Sequence, residues 1–212
     1  PYVNTGNEDI DDHHAYAGYT GAVNISIIPG EEIPPMVVSK GDHAIAINIY
    51  GEVWTWGRND KGQLGDGTTV DRSYPVQVMI TNDDGQLVPL KNVMIVAAGE
   101  KHSVALTRDG ILYTWGDNSK GQLGSGNSAS ALAYSTRPVT VAGENNSSKS
   151  LSEMLVEKNE SISNIAAGRD HTLAVSNQGN LYSWGANTYG QLGVNSRDNR
   201  YFPVQVLSLI HI

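Results

Sequence analysis

Trp115-Gly116-Asp117-Asn118-Ser119-Lys120-Gly121-Gln122-Leu123-Gly124 is one copy of a stretch that the chain carries three times. The first copy is Trp56-Gly57-Arg58-Asn59-Asp60-Lys61-Gly62-Gln63-Leu64-Gly65, and the last is Trp184-Gly185-Ala186-Asn187-Thr188-Tyr189-Gly190-Gln191-Leu192-Gly193. The shared pattern is W-G-x-N-x-x-G-Q-L-G, without a mismatch at any fixed position. The spacing is 59 residues from Gly57 to Gly116 and 69 from Gly116 to Gly185. Repetition decides architecture before any single element does, because each unit buries its apolar face against the next.

The residues around each copy fall into the same order. Upstream lie a short apolar strand, a Gly break and a second strand, as in Val93–Ala98, Gly99 and His102–Leu106. A turn follows at Tyr50-Gly51, Asp109-Gly110 or Gln178-Gly179, where Gly supplies the positive φ of a tight hairpin. A third strand carries the Trp. At period two, Trp54 and Trp56, Tyr113 and Trp115, and Tyr182 and Trp184 share a face, with Thr55, Thr114 and Ser183 on the other. Aromatics at one position of every unit pack stacked sheets together. A fourth strand is expected to start at Pro75, Pro138 or Pro203, since Pro suits a strand start or edge. Four strands per unit and almost no helix read as an all-β chain of propeller blades.

Within the motif, the Gly residues permit tight turns, Leu64, Leu123 and Leu192 plug the blade edge, and Asn59, Asn118 and Asn187 bond their own loops. The G-x-x-x-x-G spacing of Gly116–Gly121 approaches a phosphate loop. Gln122-Leu123 stands where Lys-Ser/Thr is required, and the near-miss is repeated in all copies, so it is structural. His43, His102 and His171 recur once per unit. Each is expected to bridge backbone groups within its own blade, because buried polar groups are hydrogen-bonded. No constellation for catalysis, cofactor or metal stands out.

The units divide the chain into a non-repeating flank over 1–36, repeats at about 37–90, 91–160 and 161–206, and an atypical tail over 207–212. In the flank, Asn7–His14 is acidic with a His pair and reads as solvated, because it lacks the Gly and closing Glu of a calcium loop. Ala22–Ile28 alternates like a strand. Two linkers are longer than a blade needs. Asn82-Asp83-Asp84-Gly85 marks a hairpin tip. Ser150 and Glu153 have capping-box spacing ahead of Leu151, Met154 and Leu155, so one or two helical turns are expected there. That segment has no repeat counterpart. Leu151, Glu153, Met154, Leu155 and Lys158 are therefore the candidate partner contacts, against the alternative that the apolar stripe packs on its own blade.

Net charge is −8, and fourteen Lys and Arg are scattered without a basic run, which argues against nucleic acid. With no cysteine, disulfides and thiol chemistry are excluded. No apolar run approaches the roughly 20 residues of a membrane helix.

G-x-x-H-[ST]-x-A-[LV], a Gly turn and then W-G-x-N-x-x-G-Q-L-G resembles the regulator of chromosome condensation repeat, over about 37–206. The first copy departs from it at Ala44. The resemblance implies a propeller, typically seven-bladed, of which three repeats make a partial array. The alternative is a closed ring of four, with residues 1–36 as the fourth blade. Members act as exchange factors for a small GTPase, as protein-binding modules or as a bacterial enzyme inhibitor. The expected function is a non-catalytic protein-interaction module, self-associating if the array is open. Regulation of another enzyme, by guanine-nucleotide exchange or inhibition, is one alternative; a structural segment of a large bacterial surface protein is the other. Asp12–Tyr19 resembles the opening of an S-layer homology module. With the absent Cys and many Asn, this favours a bacterial cell surface.

Overall fold

The computed structural model describes residues 33–126, 132–144 and 147–206. The strand expected over 22–28, the acidic stretch 7–14, the tail 207–212 and most of the flank needed for a fourth blade lie outside the described residues.

Three four-stranded antiparallel sheets follow one another along the chain. The first holds β1 (Met36–Lys40), β2 (His43–Ile47), β3 (Val53–Gly57) and β4 (Arg72–Gln77). A two-stranded hairpin comes next, β5 (Met79–Thr81) and β6 (Leu87–Pro89), turning at Asn82–Gly85 as its composition predicts. The second sheet holds β7 (Val93–Ala98), β8 (His102–Thr107), β9 (Leu112–Asp117) and β10 (Tyr134–Thr140). Helix α1 (Leu151–Glu157) precedes the third sheet, β11 (Ile162–Ala167), β12 (His171–Ser176), β13 (Leu181–Gly185) and β14 (Arg200–Gln205). In each sheet every strand pairs with its sequence neighbour. This is the meander of a propeller blade.

Burial shows that the blades stack. All six residues of β8 are buried, because the middle blade has a neighbour on each side. In β2 burial alternates, with His43, Ile45 and Ile47 inside and Ala44 and Ala46 on the half-covered face. In β12 the alternation is inverted: Thr172, Ala174 and Ser176 are inside, and His171, Leu173 and Val175 are half-covered. The end blades thus expose opposite faces. The two interblade cores are near copies of each other. Between the first two blades Ile45, Ile47, Val53, Val78 and Leu90 meet Val96, Ala105 and Trp115. Between the second and third, Val104, Leu106, Leu112, Val141 and Leu151 meet Ile165, Ala174 and Trp184.

The fourth strands begin before their prolines. Pro75, Pro138 and Pro203 sit inside β4, β10 and β14. They are tolerated because each lies on an outer strand where the ladder is broken: pairing jumps from Thr55↔Val76 to Gly57↔Arg72, and the other two blades repeat the jump. A missing N–H costs little at such a bulge.

Candidate interaction surface

The repeated motif is consumed by two sets of hydrogen bonds. The first closes each motif on itself. Asn59 Oδ1 accepts from Leu64 N at 2.9 Å, and its Nδ2 donates to Val70 O at 3.1 Å. Asn118 and Asn187 accept from Leu123 N and Leu192 N in the same way. Thr55, Thr114 and Ser183 donate to the carbonyls of Leu64, Leu123 and Leu192. Gly116 has φ +101°, and a Cβ there would lie 2.4 Å from Lys101 O, so only Gly fits between β9 and the β7–β8 turn.

The second set joins blade to blade. Trp115 Nε1 donates to Gln63 O at 2.8 Å, and Trp184 Nε1 to Gln122 O at 3.0 Å. Ser103 Oγ donates to Gln63 O at 2.8 Å, while His43 Nε2 lies 3.0 Å from that hydroxyl. Thr172, Gln122 O and His102 repeat the arrangement. The hydroxyl spends its one proton on the carbonyl, so Nε2 carries the imidazole proton. Burial pushes His43 down to about 4 and His102 to about 3, and it lowers His171 as well. The imidazoles are therefore neutral. This corrects the expectation of a bridge within each blade. The His begins its strand on the face turned towards the next blade, and the hydroxyl one residue beyond the next His meets it there.

At the two ends the pattern stops. Trp56 is half-buried, where Trp115 and Trp184 are fully buried. Gly65 and Gly124 lie under the indoles of Trp115 and Trp184, whereas among the described residues Gly193 meets only the edge of Val206. Among the described residues His171 has no hydroxyl partner.

The loops at one end of the blades carry ion pairs. Arg58 bonds Asp42 and Asp60, and Lys101 reaches Asp60 at 2.9 Å. Burial works against the Asp60 carboxylate, yet hydrogen bonds from Lys101, Gln63 and Arg58 hold it down to about 2. Among the described residues no group of three or more His, Cys, Asp or Glu is placed to hold a metal ion.

The opposite end carries both insertions. The capping box forms: Ser150 Oγ accepts from Glu153 N, and Glu153 Oε2 accepts from Ser150 N at 2.7 Å. Of the candidate contacts, Leu151 and Leu155 turn inward and are fully buried. Their i, i+4 spacing puts both on the core side. Met154 is half-buried against Gly143, Glu153 is exposed in the cap, and Lys158 faces Glu144 at 3.9 Å. Sequence reasoning missed exposed Val156 and Leu87 on the same end. It also missed a groove of about 500 Å³ lined by Ile80, Val88, Leu90, Thr107, Ile111 and Tyr113.

A family model described as the regulator of chromosome condensation (RCC1) repeat matches residues 50–106, 109–175 and 178–212. The chain is 37% identical over 155 residues, 73% of its length, to Protein RCC2 homolog of Danio rerio, and spans 26% of that protein. It is 35% identical over 173 residues, 81% of its length, to the ultraviolet-B receptor UVR8 of Arabidopsis thaliana, and spans 34% of it. Prp20p of Saccharomyces cerevisiae, described by its binding to Gsp1p and histones, superposes with a TM-score of 0.61 at 26% identity. That match covers 82% of this chain and 39% of Prp20p. Matching proteins are found in fish, frog, plant, mouse, human and yeast. The expected bacterial cell surface is thereby overturned. Absent cysteine and frequent Asn are compositional traits that do not distinguish a bacterial surface from a eukaryotic compartment.

Proposed function

Because the chain belongs to the regulator of chromosome condensation (RCC1) repeat family, we propose that it is a non-catalytic protein-binding module that meets its partner on the face carrying the two insertions. One observation supports this most: the side chains common to all three repeats are spent on closing loops and joining blades. Fixed scaffold leaves recognition to segments that differ between repeats. The contacts are Glu153 and Met154 on α1 and Lys158 at its C-cap, joined by Val156 of the helix and by Leu87 of β6. Leu151 and Leu155 hold the helix from beneath.

The test is site-specific photocrosslinking. A benzoyl-phenylalanine probe replaces Val156, Leu87 or, on the opposite end, Tyr189, which is 90% exposed. The same partner should be captured from Val156 and Leu87 and not from Tyr189. Capture from Tyr189 alone would overturn the assignment.

The likeness to Prp20p, a protein that binds Gsp1p, favours a second reading, regulation of another enzyme. Nucleotide release from a small GTPase, measured with and without the chain, separates the two. A plain binding module leaves the rate unchanged, and an exchange factor accelerates it.

A further inference from the structure

The repeats allow one blade to be compared with the next, residue by residue, at the end that carries the insertions. Val78 O accepts from Leu90 N, and Val141 O accepts from Leu151 N, so Leu90 and Leu151 occupy equivalent places. Asn92 O accepts from Arg108 N, and Ser161 O accepts from Asn177 N, so Asn92 and Ser161 are equivalent as well. Between these anchors the first linker has Lys91 alone, while the second has room for the rest of α1 and its exit.

The consequence is visible in the cores. The core between the second and third blades contains Leu155; its counterpart between the first two blades has no equivalent leucine and draws instead on Ile33 and Ile80. Tyr182, beside Leu155, is fully buried, whereas the equivalent Tyr113 is half-buried. The groove of about 500 Å³ is lined by Tyr113, Leu90, Thr107, Asp109 and Ile111. These are the equivalents of Tyr182, Leu151, Ser176, Gln178 and Asn180, the residues around α1 and its exit. The groove is thus the position that a helical turn fills one blade further on.

The rim differs in charge. In the third blade Gln178 Nε2 donates to Asn159 O at 3.2 Å, and Asn180 Nδ2 donates to Glu160. In the second blade those donors are replaced by Asp109, an acceptor, and Ile111. The charges of Asp109 and Asp83 both act on the Tyr113 hydroxyl, whose pKa is raised first by burial and then by them. Lys91, the cation among the lining residues, is already held by Glu52 at 3.0 Å. Among the described residues Asp109 Oδ1 accepts only a neutral bond, from Asn92 Nδ2 at 3.3 Å, so an apolar anchor with a positive donor beside it suits the groove.

We infer that the groove between the β5–β6 hairpin and the β8–β9 turn docks a short amphipathic helical segment of a partner protein, with an aliphatic anchor seated where α1 places Leu155 and a Lys or Arg beside it facing Asp109. Helix-in-groove docking reads such anchors at i and i+4. The assignment rests on the protein-binding role proposed above and specifies the chemistry of one contact on that face.

The probe is a fluorescein-labelled peptide of residues 150–160 carrying Asn159→Lys and Glu160→Lys; its reference is the unsubstituted peptide. Polarisation should show saturable binding of the basic probe, about tenfold tighter than the reference, as one charge-assisted contact supplies. Asp83→Lys with Asp109→Lys should reverse the preference; both sites lie in turns, and an unchanged thermal melt checks the fold. Replacing Lys91-Asn92 by the sequence of 152–161 should fill the groove from within and abolish binding. Equal affinity for both peptides, binding that survives the graft, or no saturation to about 1 mM would each overturn the proposal. It is also overturned if deleting 1–32 or 207–212 raises probe affinity about tenfold or more, which would make the occupant the chain itself. Dissociation of a self-associated chain by the probe would make the occupant a second copy and would equally overturn it. Crosslinking from Val156 that persists while the peptide fails would remove the groove and leave the proposed function standing.

Discussion

Lowering the pH from 7 to 5 should weaken the fold through two buried imidazoles. His43 and His102 are held neutral between the blades, at about 4 and about 3, against the ordinary value of 6.5. Unfolding frees both to bind a proton near 6.5. Their contribution is therefore fully present above about 6.5 and is lost as pH falls towards about 4 and 3. At pH 5 each unfolded His is protonated about 1.5 pH units below its ordinary pKa while each folded one stays neutral. At about 1.36 kcal/mol per unit this is about 2 kcal/mol per imidazole and about 4 for the pair. A whole domain has about 5–15 kcal/mol to lose. Carboxylates do not obscure the effect. Asp60, Asp66 and Glu153 are all lowered, so their contributions are present above the ordinary carboxylate pKa and are lost only at lower pH than this experiment uses. Urea unfolding at the two pH values measures the difference as a shift in midpoint at constant slope. His102→Gln should remove about 2 kcal/mol of the pH dependence. A midpoint equal at pH 7 and 5, or higher at 5, would refute the neutral, interblade placement of these side chains.

Trp115→Ala should cost about 3–5 kcal/mol in urea unfolding, and Trp56→Ala about half of that, because only the former is sealed between blades; equal costs would contradict the stacking order. Gly116→Ala forces a side chain into positive φ against Lys101 O and should destabilise by about 1–3 kcal/mol or more, read from the thermal midpoint. Replacing 144–158 by a Gly-Ser linker should remove about 4 kcal/mol or more, since it deletes two fully buried leucines at about 2–5 each; unchanged stability would mean that α1 is not part of the core. The half-covered faces at Ala44 and His171 should make the chain associate as its concentration rises, seen as increasing mass in sedimentation.

Much of this was legible because the repeats carry their own controls. Three identical motifs at blade spacing announce three sheets, and Asn82–Gly85 and Ser150–Glu153 mark a hairpin and a capped helix by local chemistry alone. Other features depend on neighbours that a sequence does not name. Period two puts His102 on a face, but it does not say that the residue opposite is Thr172 of the next blade. The prolines read as strand starts because the bulge that admits them depends on pairing with β3, β9 and β13. Leu151 and Leu155 read as an inward stripe with an outward one as its alternative, and the core beside Tyr182 decides for the inward one. The groove at Tyr113 emerges only when Leu90–Asn92 is set against Leu151–Ser161 with their hydrogen-bond equivalence in hand.

The central claim is that the recurring polar residues are blade-to-blade fastenings and not a repeated binding site. A double-mutant cycle on one fastening tests it most directly. His102→Phe, Thr172→Val and the pair would be compared with the parent chain in urea at pH 7. The His102–Thr172 bond predicts a coupling energy of about 0.5–3 kcal/mol. Additivity within about 0.3 kcal/mol would contradict it.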